Sequence, residues 1–360
     1  MSTSIGATPA TVHLCEPGGR GGIFQHTVAV AEALAGVGVQ VVLHTAQDAE
    51  LRPEGVRFCP CVHWYRSLPD GLRQGATAAR YLLRTVPHLV ATTDRATDVL
   101  HLQGTFGRVL YLPILIAARR RGVPTVFSPH NTFVRRGGRP THAVYRRSLR
   151  AAAAVIVFSD DDLGRLAALG LDAHRATLTL HVERPDPEAI ASWRRRYGSG
   201  PTALLAGQVR ADKRPDIFIA ACRLAGVTPA IVGEAHDGEP LVRAAASTSD
   251  RLVRVDAYLP GAEFAAAVAA ADVVVASHAV GSVSGPLAFA SDLGVRSVAF
   301  AVGGLAENVT VSVDPGRGSH GLAEGILDAL RAAEPAPRSG ADSVADEHVR
   351  IYRAAMRSRS

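Results

Sequence analysis

The sequence predicts an α/β protein built from two Rossmann-like domains, because short apolar runs alternate with longer amphipathic stretches through both halves of the chain. That alternation is typical of βα units on a parallel sheet. The 360 residues exceed what one hydrophobic core usually organises, so two domains are expected. A hydrophobic content of 47% with 5% aromatics is that of a globular protein and excludes a disordered or fibrous one.

The individual elements follow from the spacing of apolar residues. Helices are predicted where apolar residues recur at intervals of three and four, as in residues 25–35, 216–224 and 263–270. In the first half, strand-like apolar runs cover residues 11–15, 39–45, 99–103, 125–128 and 154–158. In the second half, such runs cover residues 203–206, 230–232, 253–256, 273–276 and 297–300.

Two proline-containing breaks set the expected domain boundaries. Residues 181–187 combine prolines with clustered charges and interrupt both periodicities, so a hinge is predicted there. Residues 335–337 read Pro-Ala-Pro and precede a last predicted helix. We therefore expect an N-terminal domain over residues 1–183, a C-terminal domain over residues 184–335, and a linker and helix over residues 336–360 that pack back on the N-terminal domain.

The charge balance is basic, with a formal net charge of +6 and a pI of about 9.5. Such a surplus suits a polyanionic partner, which could be a phosphorylated small molecule, an anionic membrane surface or nucleic acid, although solvated helix faces are the more usual explanation of each basic cluster. No helix-turn-helix, zinc knuckle or aromatic-bearing basic strand is present, so a nucleic-acid partner is not expected. Peripheral contact with a membrane stays open.

The cysteines and the N-terminus bear on the compartment. Cys15, Cys59, Cys61 and Cys222 lack a zinc-type spacing with histidines, and Cys59-Pro60-Cys61 is too tight for an ordinary CxxC redox pair. Reduced thiols are therefore predicted. The first nine residues have neither a basic flank nor an apolar stretch, and no apolar run is long enough to span a bilayer. We expect a cytoplasmic protein.

A glycine-rich turn follows the first predicted strand. Gly21 and Gly22 precede a helix that opens near Ile23, and glycines at such a turn let backbone N–H groups approach an anionic ligand closely. The turn does not fit G-x-G-x-x-G. By itself it is equally consistent with a tight structural turn.

Two further loops follow strands in the second half. Arg210 and Lys213 come after Gly207, between a strand and a helix, where they could hold the phosphates of a nucleotide beyond the strand ends. Ser284 and Gly285 precede another helix and would offer a second set of hydroxyl and amide donors. An exposed basic loop is the alternative for the first of these segments.

In order and spacing, these motifs resemble the family-4 glycosyltransferases of the GT-B fold, over nearly the whole chain. The resemblance implies two Rossmann-like domains that face each other across a cleft. It also implies transfer of a sugar from a nucleotide diphosphate with retention at the anomeric carbon. The segments that carry it are Gly21-Gly22, residues 98–101, residues 124–131, Ser159 with Leu163, residues 207–213, residues 270–275, Ser284-Gly285 and residues 303–307.

The resemblance assigns expected roles to individual residues. Arg210 and Lys213 would neutralise the leaving diphosphate, and these cations together with the two amide-donor loops would make a metal ion dispensable. His130 would lie near the donor sugar, where it could bind the sugar hydroxyls or orient the acceptor, and a packed structural histidine is the alternative. On the acceptor side we expect Trp64, His101 and Asn131, although Trp64 could equally pack in a core and His101 could be a structural residue at a strand end. The expected donor-binding residues are Gly21, Gly22, Gly207, Arg210, Lys213, Ser282, Ser284 and Gly285.

The chain departs from the family pattern at the donor site and matches a subgroup that lacks the usual glutamate pair. Many relatives have two glutamates separated by seven residues, the second of which binds the ribose, but Gly281 and Phe289 occupy those places here. Gln208 stands where arginine is usual. We expect the backbone of residues 281–284 and the hydroxyls of Ser282 or Ser284 to hold the ribose instead.

Two alternative functions remain open from the sequence. One is a glycosyltransferase-like partner subunit without activity, and the other is a sugar-nucleotide epimerase of the same fold. The acceptor could be a natural product, a saccharide or a lipid-linked sugar. The sequence names neither the sugar nor the base of the donor, because pocket shape and a few loop residues decide both.

Overall fold

The computed structural model describes residues 8–63, 70–104, 111–132, 139–246, 251–337 and 341–358. The chain divides into two compact units. The first contains residues 1–181 together with residues 340–360, and the second contains residues 182–339. No helix among the described residues combines the length and the apolar character needed to cross a membrane.

The first unit is a seven-stranded parallel sheet with helices between its strands, in the order β3-β2-β1-β4-β5-β6-β7. Its strands are β1 (Thr11–Cys15), β2 (Gln40–Ala46), β3 (Arg57–Val62), β4 (Val99–Gln103), β5 (Thr125–Ser128), β6 (Ala154–Val157) and β7 (His174–Arg175). Its helices before the hinge are α1 (Gly21–Gly36), α2 (Asp70–Arg80), α3 (Val86–Thr92), α4 (Tyr111–Arg120), α5 (Arg139–Ala151) and α6 (Asp160–Ala168). A π-helical turn, Tyr81–Thr85, joins α2 to α3.

The second unit repeats this plan with a six-stranded parallel sheet in the order β10-β9-β8-β11-β12-β13. Its strands are β8 (Thr202–Ala206), β9 (Thr228–Val232), β10 (Val253–Val255), β11 (Val273–Ala276), β12 (Ser297–Phe300) and β13 (Val311–Val313). Its helices are α7 (Pro187–Tyr197), α8 (Pro215–Ala225), α9 (Glu239–Ala246), α10 (Gly261–Ala269), α11 (Gly285–Asp292) and α12 (Gly318–Arg331).

The chain returns to the first unit in its last helix, α13 (Ala341–Arg357), which packs against α1 and β6. Tyr352 on α13 is fully buried. Glu347 accepts hydrogen bonds from the backbone N–H and the hydroxyl of Thr177, at 2.7 and 3.0 Å. The buried ring of Tyr352 and the hydrogen bonds of Glu347 therefore hold α13 against the N-terminal unit.

Local sequence explains where several elements begin and end. The carboxylate of Asp186 caps α7 by accepting the Glu188 N–H, and Pro187 occupies the first turn, where it loses no hydrogen bond. Gly226 ends α8 in a left-handed conformation, φ 69°. The central strand β8 is buried at every residue, as expected for a strand covered on both faces.

The fold class predicted from the sequence is confirmed, since both halves are parallel α/β units with Rossmann-like topology. The predicted strands at 11–15, 99–103, 125–128, 273–276 and 297–300 end where the structure ends them. The sequence missed β3, β7 and β13, which lie at sheet edges. Edge strands carry a weaker apolar signal because part of their surface faces water.

Candidate active site

In each unit, the first strand lies at the point where the strand order reverses. β1 is flanked by β2 and β4, and β8 is flanked by β9 and β11. The connections that leave neighbouring strands there pass to opposite faces of the sheet, which leaves a crevice at the carboxyl ends of the strands. The candidate residues follow these strands.

Gly207 forms the turn at the carboxyl end of β8. Its φ of 79° lies in the left-handed region, which favours glycine, and its N–H donates to the carbonyl of Val232 at 2.8 Å. A Cβ placed on Gly207 would lie 3.3 Å from Nζ of Lys213 and 3.6 Å from Cγ of Pro286. The turn, the lysine and the start of α11 therefore meet at one place in the second unit.

Lys213 ends a short 3₁₀ turn, Ala211–Lys213, and only 5% of its surface is exposed. Its ammonium group donates to the carbonyl of Ala206 at 2.7 Å, and its own carbonyl accepts from the Ser277 hydroxyl at 2.6 Å. Ser277 follows β11, so these bonds fix the lysine between the ends of β8 and β11.

Lys213 is also distinctive in composition. Of the 39 basic Lys and Arg residues, it is the one lysine, and arginine supplies the rest. A compact ammonium and a planar guanidinium differ in shape and in the number of their donors, so an arginine is not equivalent at this buried position. Its being the one lysine of the sequence singles out Lys213, and the motifs described above do not depend on this feature.

Arg210 lies in the same loop but is engaged by a carboxylate. Its Nε and Nη2 donate to the two oxygens of Asp212, at 2.9 and 3.1 Å, and its side chain is 27% exposed. The Ala211 N–H donates to Asp237 at 3.1 Å. An anion bound to Arg210 would therefore compete with Asp212 for the guanidinium.

The N-terminus of α11 supplies backbone donors beside Gly207. Ser284 occupies the N-cap position with φ −126°, and its side chain makes no capping hydrogen bond. A Cβ on Gly285 would meet no atom within 4 Å, so the helix start is open to an approaching group. Ser282 is buried, with 1% of its surface exposed. Uncapped helix N–H groups and the positive end of the helix dipole favour an anion here.

The two positions where many relatives have glutamates are interior in this chain. A Cβ on Gly281 would lie 2.5 Å from Cδ1 of Leu305. Phe289 is 2% exposed and packs edge-on against Phe264 of α10, with ring centroids 5.1 Å apart. Phe289 is thus part of the hydrophobic interior, and both positions are filled by packing.

The glycine-rich turn of the first unit is held by carboxylates. Glu16 accepts the N–H groups of Gly18 and Gly19, at 3.0 and 2.7 Å, and Glu50 accepts the N–H of Gly21 at 3.1 Å. A Cβ on Gly22 would meet nothing within 4 Å. Of the two predicted glycines, Gly21 already donates its N–H within the protein, and Gly22 faces open space.

Burial dominates the electrostatics of Glu16. It raises the pKa of this carboxyl from 4.5 to about 7, and it outweighs the two N–H hydrogen bonds, which lower the pKa. The negative charge of Glu50 raises it further.

His130 stands at the end of β5 in a left-handed conformation, φ 55°, which is uncommon for a residue with a side chain. Its Nε2–H donates to Oε1 of Gln103 at 2.7 Å. The ring packs on Phe158, with centroids 4.8 Å apart. Burial and the neighbouring His26 hold the pKa of His130 well below its usual range. The ring is therefore neutral near pH 7 and can exchange hydrogen bonds without carrying charge.

His101 lies beneath His130 in a buried polar network and has no exposed surface. Its Nδ1–H donates to the Tyr352 hydroxyl at 2.8 Å, while its Nε2 accepts from the Ser128 hydroxyl at 2.8 Å and faces the Gln103 amide at 3.4 Å. Gln103, which our sequence reasoning missed, connects the two histidines. Among the described residues, Gln103 and His130 link the buried His101 to the end of β5.

The remaining acceptor-side predictions have different outcomes. The carbonyl of Asn131 accepts the hydroxyl of Tyr145 on α5, and the residue is half-buried next to His130. Trp64 lies outside the described residues. The structure brings Gly207, Lys213 and Gly285 together in the second unit, and Gly22, His130 and Asn131 belong to the first unit.

The fold of the chain is that of the GT-B glycosyltransferases. Residues 21–180, somewhat less than half of the chain, match the family model described as a glycosyl transferase 4-like domain, which confirms the resemblance predicted from the motifs.

Solved structures with the same fold span nearly the whole chain at low sequence identity. Sucrose-phosphate synthase from Thermosynechococcus elongatus aligns with a TM-score of 0.67 and 17% identity, over 96% of this chain and 94% of that one. The UDP-forming α,α-trehalose-phosphate synthase from Burkholderia xenovorans, in complex with glucose-6-phosphate, gives 0.63 and 13%, over 97% and 96%. An E. coli protein described as trehalose-6-phosphate bound with UDP-2-fluoro glucose gives 0.63 and 11%, over 96% and 94%.

One curated protein matches over a short stretch. The 2,3-bisphosphoglycerate-independent phosphoglycerate mutase of Dinoroseobacter shibae is 38% identical over 80 residues. The stretch covers 22% of this chain and 15% of that protein. So small a share of the mutase carries no conclusion about activity.

The raised pKa of Glu16 predicts a pH dependence of stability. The folded state favours the protonated carboxyl, so the contribution of Glu16 is present at low pH and is lost as the pH rises from 4.5 towards and past 7. Between pH 5 and 8, the free energy of unfolding of the wild type should fall by roughly 2–3 kcal/mol more than that of Glu16→Gln. Urea unfolding at both pH values measures this difference, and parallel pH curves for the two proteins would contradict it.

Proposed function

We propose that this protein transfers a sugar from a nucleotide-diphosphate sugar to a hydroxyl or similar nucleophile of an acceptor, with retention of anomeric configuration and without a metal ion in the transfer step. The observation that carries the proposal is the convergence of Gly207, Lys213 and the N-terminus of α11 at the β8/β11 switch point. A diphosphate is the ligand that these groups suit best, because they combine a cation with backbone N–H donors.

The donor would lie in the C-terminal unit. Lys213 would contact one phosphate, and the N–H groups at the start of α11 would contact the other. Arg210 would add a second cation by exchanging its bonds with Asp212 for bonds to a phosphate oxygen. The similar structures support a donor of this class, since one carries UDP-2-fluoro glucose and another is described as UDP-forming.

Charge neutralisation would supply most of the catalysis. The bond between the anomeric carbon and the β-phosphate oxygen breaks, a bond to the acceptor oxygen forms, and the acceptor proton passes to the departing diphosphate. The leaving oxygen gains negative charge in that step, and preorganised cations and amides stabilise it more strongly than water does. Lys213 is held by Ala206 and Ser277 before any ligand binds, so little reorganisation is needed.

The acceptor would lie in the N-terminal unit, where the neutral His130 could hydrogen-bond a sugar hydroxyl. Gln103 fixes the tautomer of His130 by accepting its Nε2–H, and His101 orients Gln103 from below. His101 would therefore act as a positioning residue. Asn131 adjoins His130, and Gly22 would leave space for a phosphate near the start of α1.

The ribose would be held without a carboxylate at position 289, because Phe289 is packed against Phe264. We propose that backbone groups of residues 281–284 and the hydroxyl of Ser284 take the place of the carboxylate, and that Ser282, with 1% of its surface exposed, is the less accessible of the two serines. Neutral hydroxyls form weaker hydrogen bonds than a charged carboxylate, so we expect modest donor affinity or a deoxygenated donor.

Removing the cations should lower turnover. We expect Lys213→Ala and Arg210→Ala each to reduce kcat by about 10²-fold, because each removes a charge that stabilises the leaving group. Lys213→Arg should be impaired as well, since a planar guanidinium does not reproduce the geometry of a compact ammonium at a position that is 5% exposed. A panel of nucleotide sugars scored by thermal stabilisation first identifies the donor, and NMR of the product gives its anomeric configuration.

Arg223→Ala is the matched control, because Arg223 is exposed on α8 of the same unit. Wild-type turnover in both Lys213→Ala and Arg210→Ala would refute the placement of the diphosphate. Donor binding without transfer or hydrolysis would indicate an inactive partner subunit, and epimer formation without acceptor would indicate an epimerase.

Loss of the Ser284 hydroxyl should weaken donor affinity. We expect Ser284→Ala to raise the Kd for the donor by about 3- to 10-fold, the effect of one neutral hydrogen bond. A 2′-deoxy or 3′-deoxy donor should lose less in this variant, and Ser291→Ala in the last turn of α11 is the control. Equal losses with all donors would contradict ribose binding by Ser284, as would a donor complex in which a carboxylate holds both ribose hydroxyls.

Transfer should proceed without Mg²⁺ or Mn²⁺, because Lys213, Arg210 and the α11 amides do the work that a divalent ion would otherwise do. Initial rates measured with and without EDTA test this expectation. A rate that EDTA abolishes and added Mg²⁺ or Mn²⁺ restores would show that the transfer step depends on a metal.

A further inference from the structure

A cluster of two histidines and two cysteines lies at one edge of the N-terminal sheet. His44 belongs to β2, Cys59 and Cys61 belong to β3, and His88 belongs to α3. One ligand atom from each of these residues lies within 4.8 Å of all the others. The cluster belongs to neither the donor site nor the His130 network.

Strand geometry explains how the cluster forms. In the parallel pairing of β2 and β3, His44 stands opposite Cys59. The register then shifts, so that Ala46 pairs with Val62, and the ligand atoms of Cys59 and Cys61 both lie within 4.8 Å of those of the two histidines. Pro60 between the two cysteines is tolerated because β3 is the last strand of the sheet. The helix α3 then brings His88 to the cluster.

Two of the distances within the cluster match those of a tetrahedral metal site. Nδ1 of His44 and Sγ of Cys61 are 3.8 Å apart, and Nε2 of His88 and Sγ of Cys59 are 3.4 Å apart. Tetrahedral zinc with ordinary Zn–S and Zn–N bonds requires an S···N separation of about 3.6 Å. Two thiols and two imidazoles form a ligand set that selects zinc over magnesium or calcium.

A hydrogen-bonded chain behind His44 presents the correct nitrogen to the cluster. Oδ2 of Asp98 accepts the Nε2–H of His13 at 3.3 Å, and Nδ1 of His13 accepts the Nε2–H of His44 at 3.0 Å. This order of donors leaves the Nδ1 lone pair of His44 directed towards Cys61. A metal-binding histidine is typically oriented by such a carboxylate-terminated partner.

We propose that His44, Cys59, Cys61 and His88 bind one zinc ion that joins the edge strand β3 to β2 and α3. Four protein ligands close the coordination sphere, which is the pattern of a structural site. The ion therefore acts as a cross-link at the sheet edge, where β3 otherwise has a single strand neighbour.

The full-length protein, reduced and freed of metal, tests the proposal by titration with Zn²⁺ and with Co²⁺. We expect one ion per chain, a Co²⁺ absorption spectrum typical of tetrahedral thiolate coordination, and a rise in Tm on adding Zn²⁺. His88→Ala should lose this response and still fold, because His88 is exposed on α3. His63→Ala is the matched control, since His63 lies two residues beyond Cys61 and bonds to Gln47.

Asp98→Asn tests the chain behind the ligands and should weaken Zn²⁺ affinity by about 10- to 100-fold while all four ligands remain. The proposal is overturned if the reduced protein shows no tetrahedral Co²⁺ spectrum. It is also overturned if both His88→Ala and a Cys59→Ser/Cys61→Ser double variant bind Zn²⁺ like the wild type. A disulfide between Cys59 and Cys61, with no ion bound after its reduction, would overturn it as well. EDTA could also lower activity by removing this structural ion. In that case Zn²⁺ alone restores the activity and the Tm falls in EDTA, and the result says nothing about a metal in the transfer step.

Discussion

In each unit, the chain begins its sheet in the middle and adds strands first on one side and then on the other. β1 thus lies between β2 and β4, and β8 lies between β9 and β11. Because the connections diverge at those points, polar groups that follow the central strands face a crevice instead of a packed helix. The position of the glycine-rich turn, of Lys213 and of the α11 N-terminus depends on this reversal.

The two units present different chemistry at equivalent places. The C-terminal unit places a buried ammonium beside a glycine turn and an open helix start, which together favour an anion. The N-terminal unit instead buries neutral histidines. Burying their polar nitrogens costs free energy, and hydrogen bonds with Gln103, Ser128 and Tyr352 offset that cost. Our proposal of a donor diphosphate in the C-terminal unit and an acceptor hydroxyl in the N-terminal unit rests on this difference.

Sequence patterns located most central strands because these are buried on both faces and form continuous apolar runs, as in β8 and β11. The same patterns located the loops after them, because Gly207 and Gly285 interrupt the runs at turns. The patterns could not show that Asp212 engages Arg210, that Glu50 takes the N–H of Gly21, or that Phe289 is interior. Each of these facts depends on which neighbour lies across the turn or helix face.

By itself, the sequence determined the parallel α/β class, the repeat of the plan in two halves and the glycine-containing loops that follow the central strands. Those features follow from local periodicity and from glycine, proline and charge at strand ends. Only the tertiary structure decided which side chains from distant segments meet. His44, Cys59, Cys61 and His88 have no zinc-type spacing along the chain, yet the pairing of β2 with β3 and the return of α3 bring them within ligand distance. Strand register and helix packing, which arise from long-range contacts, set such distances.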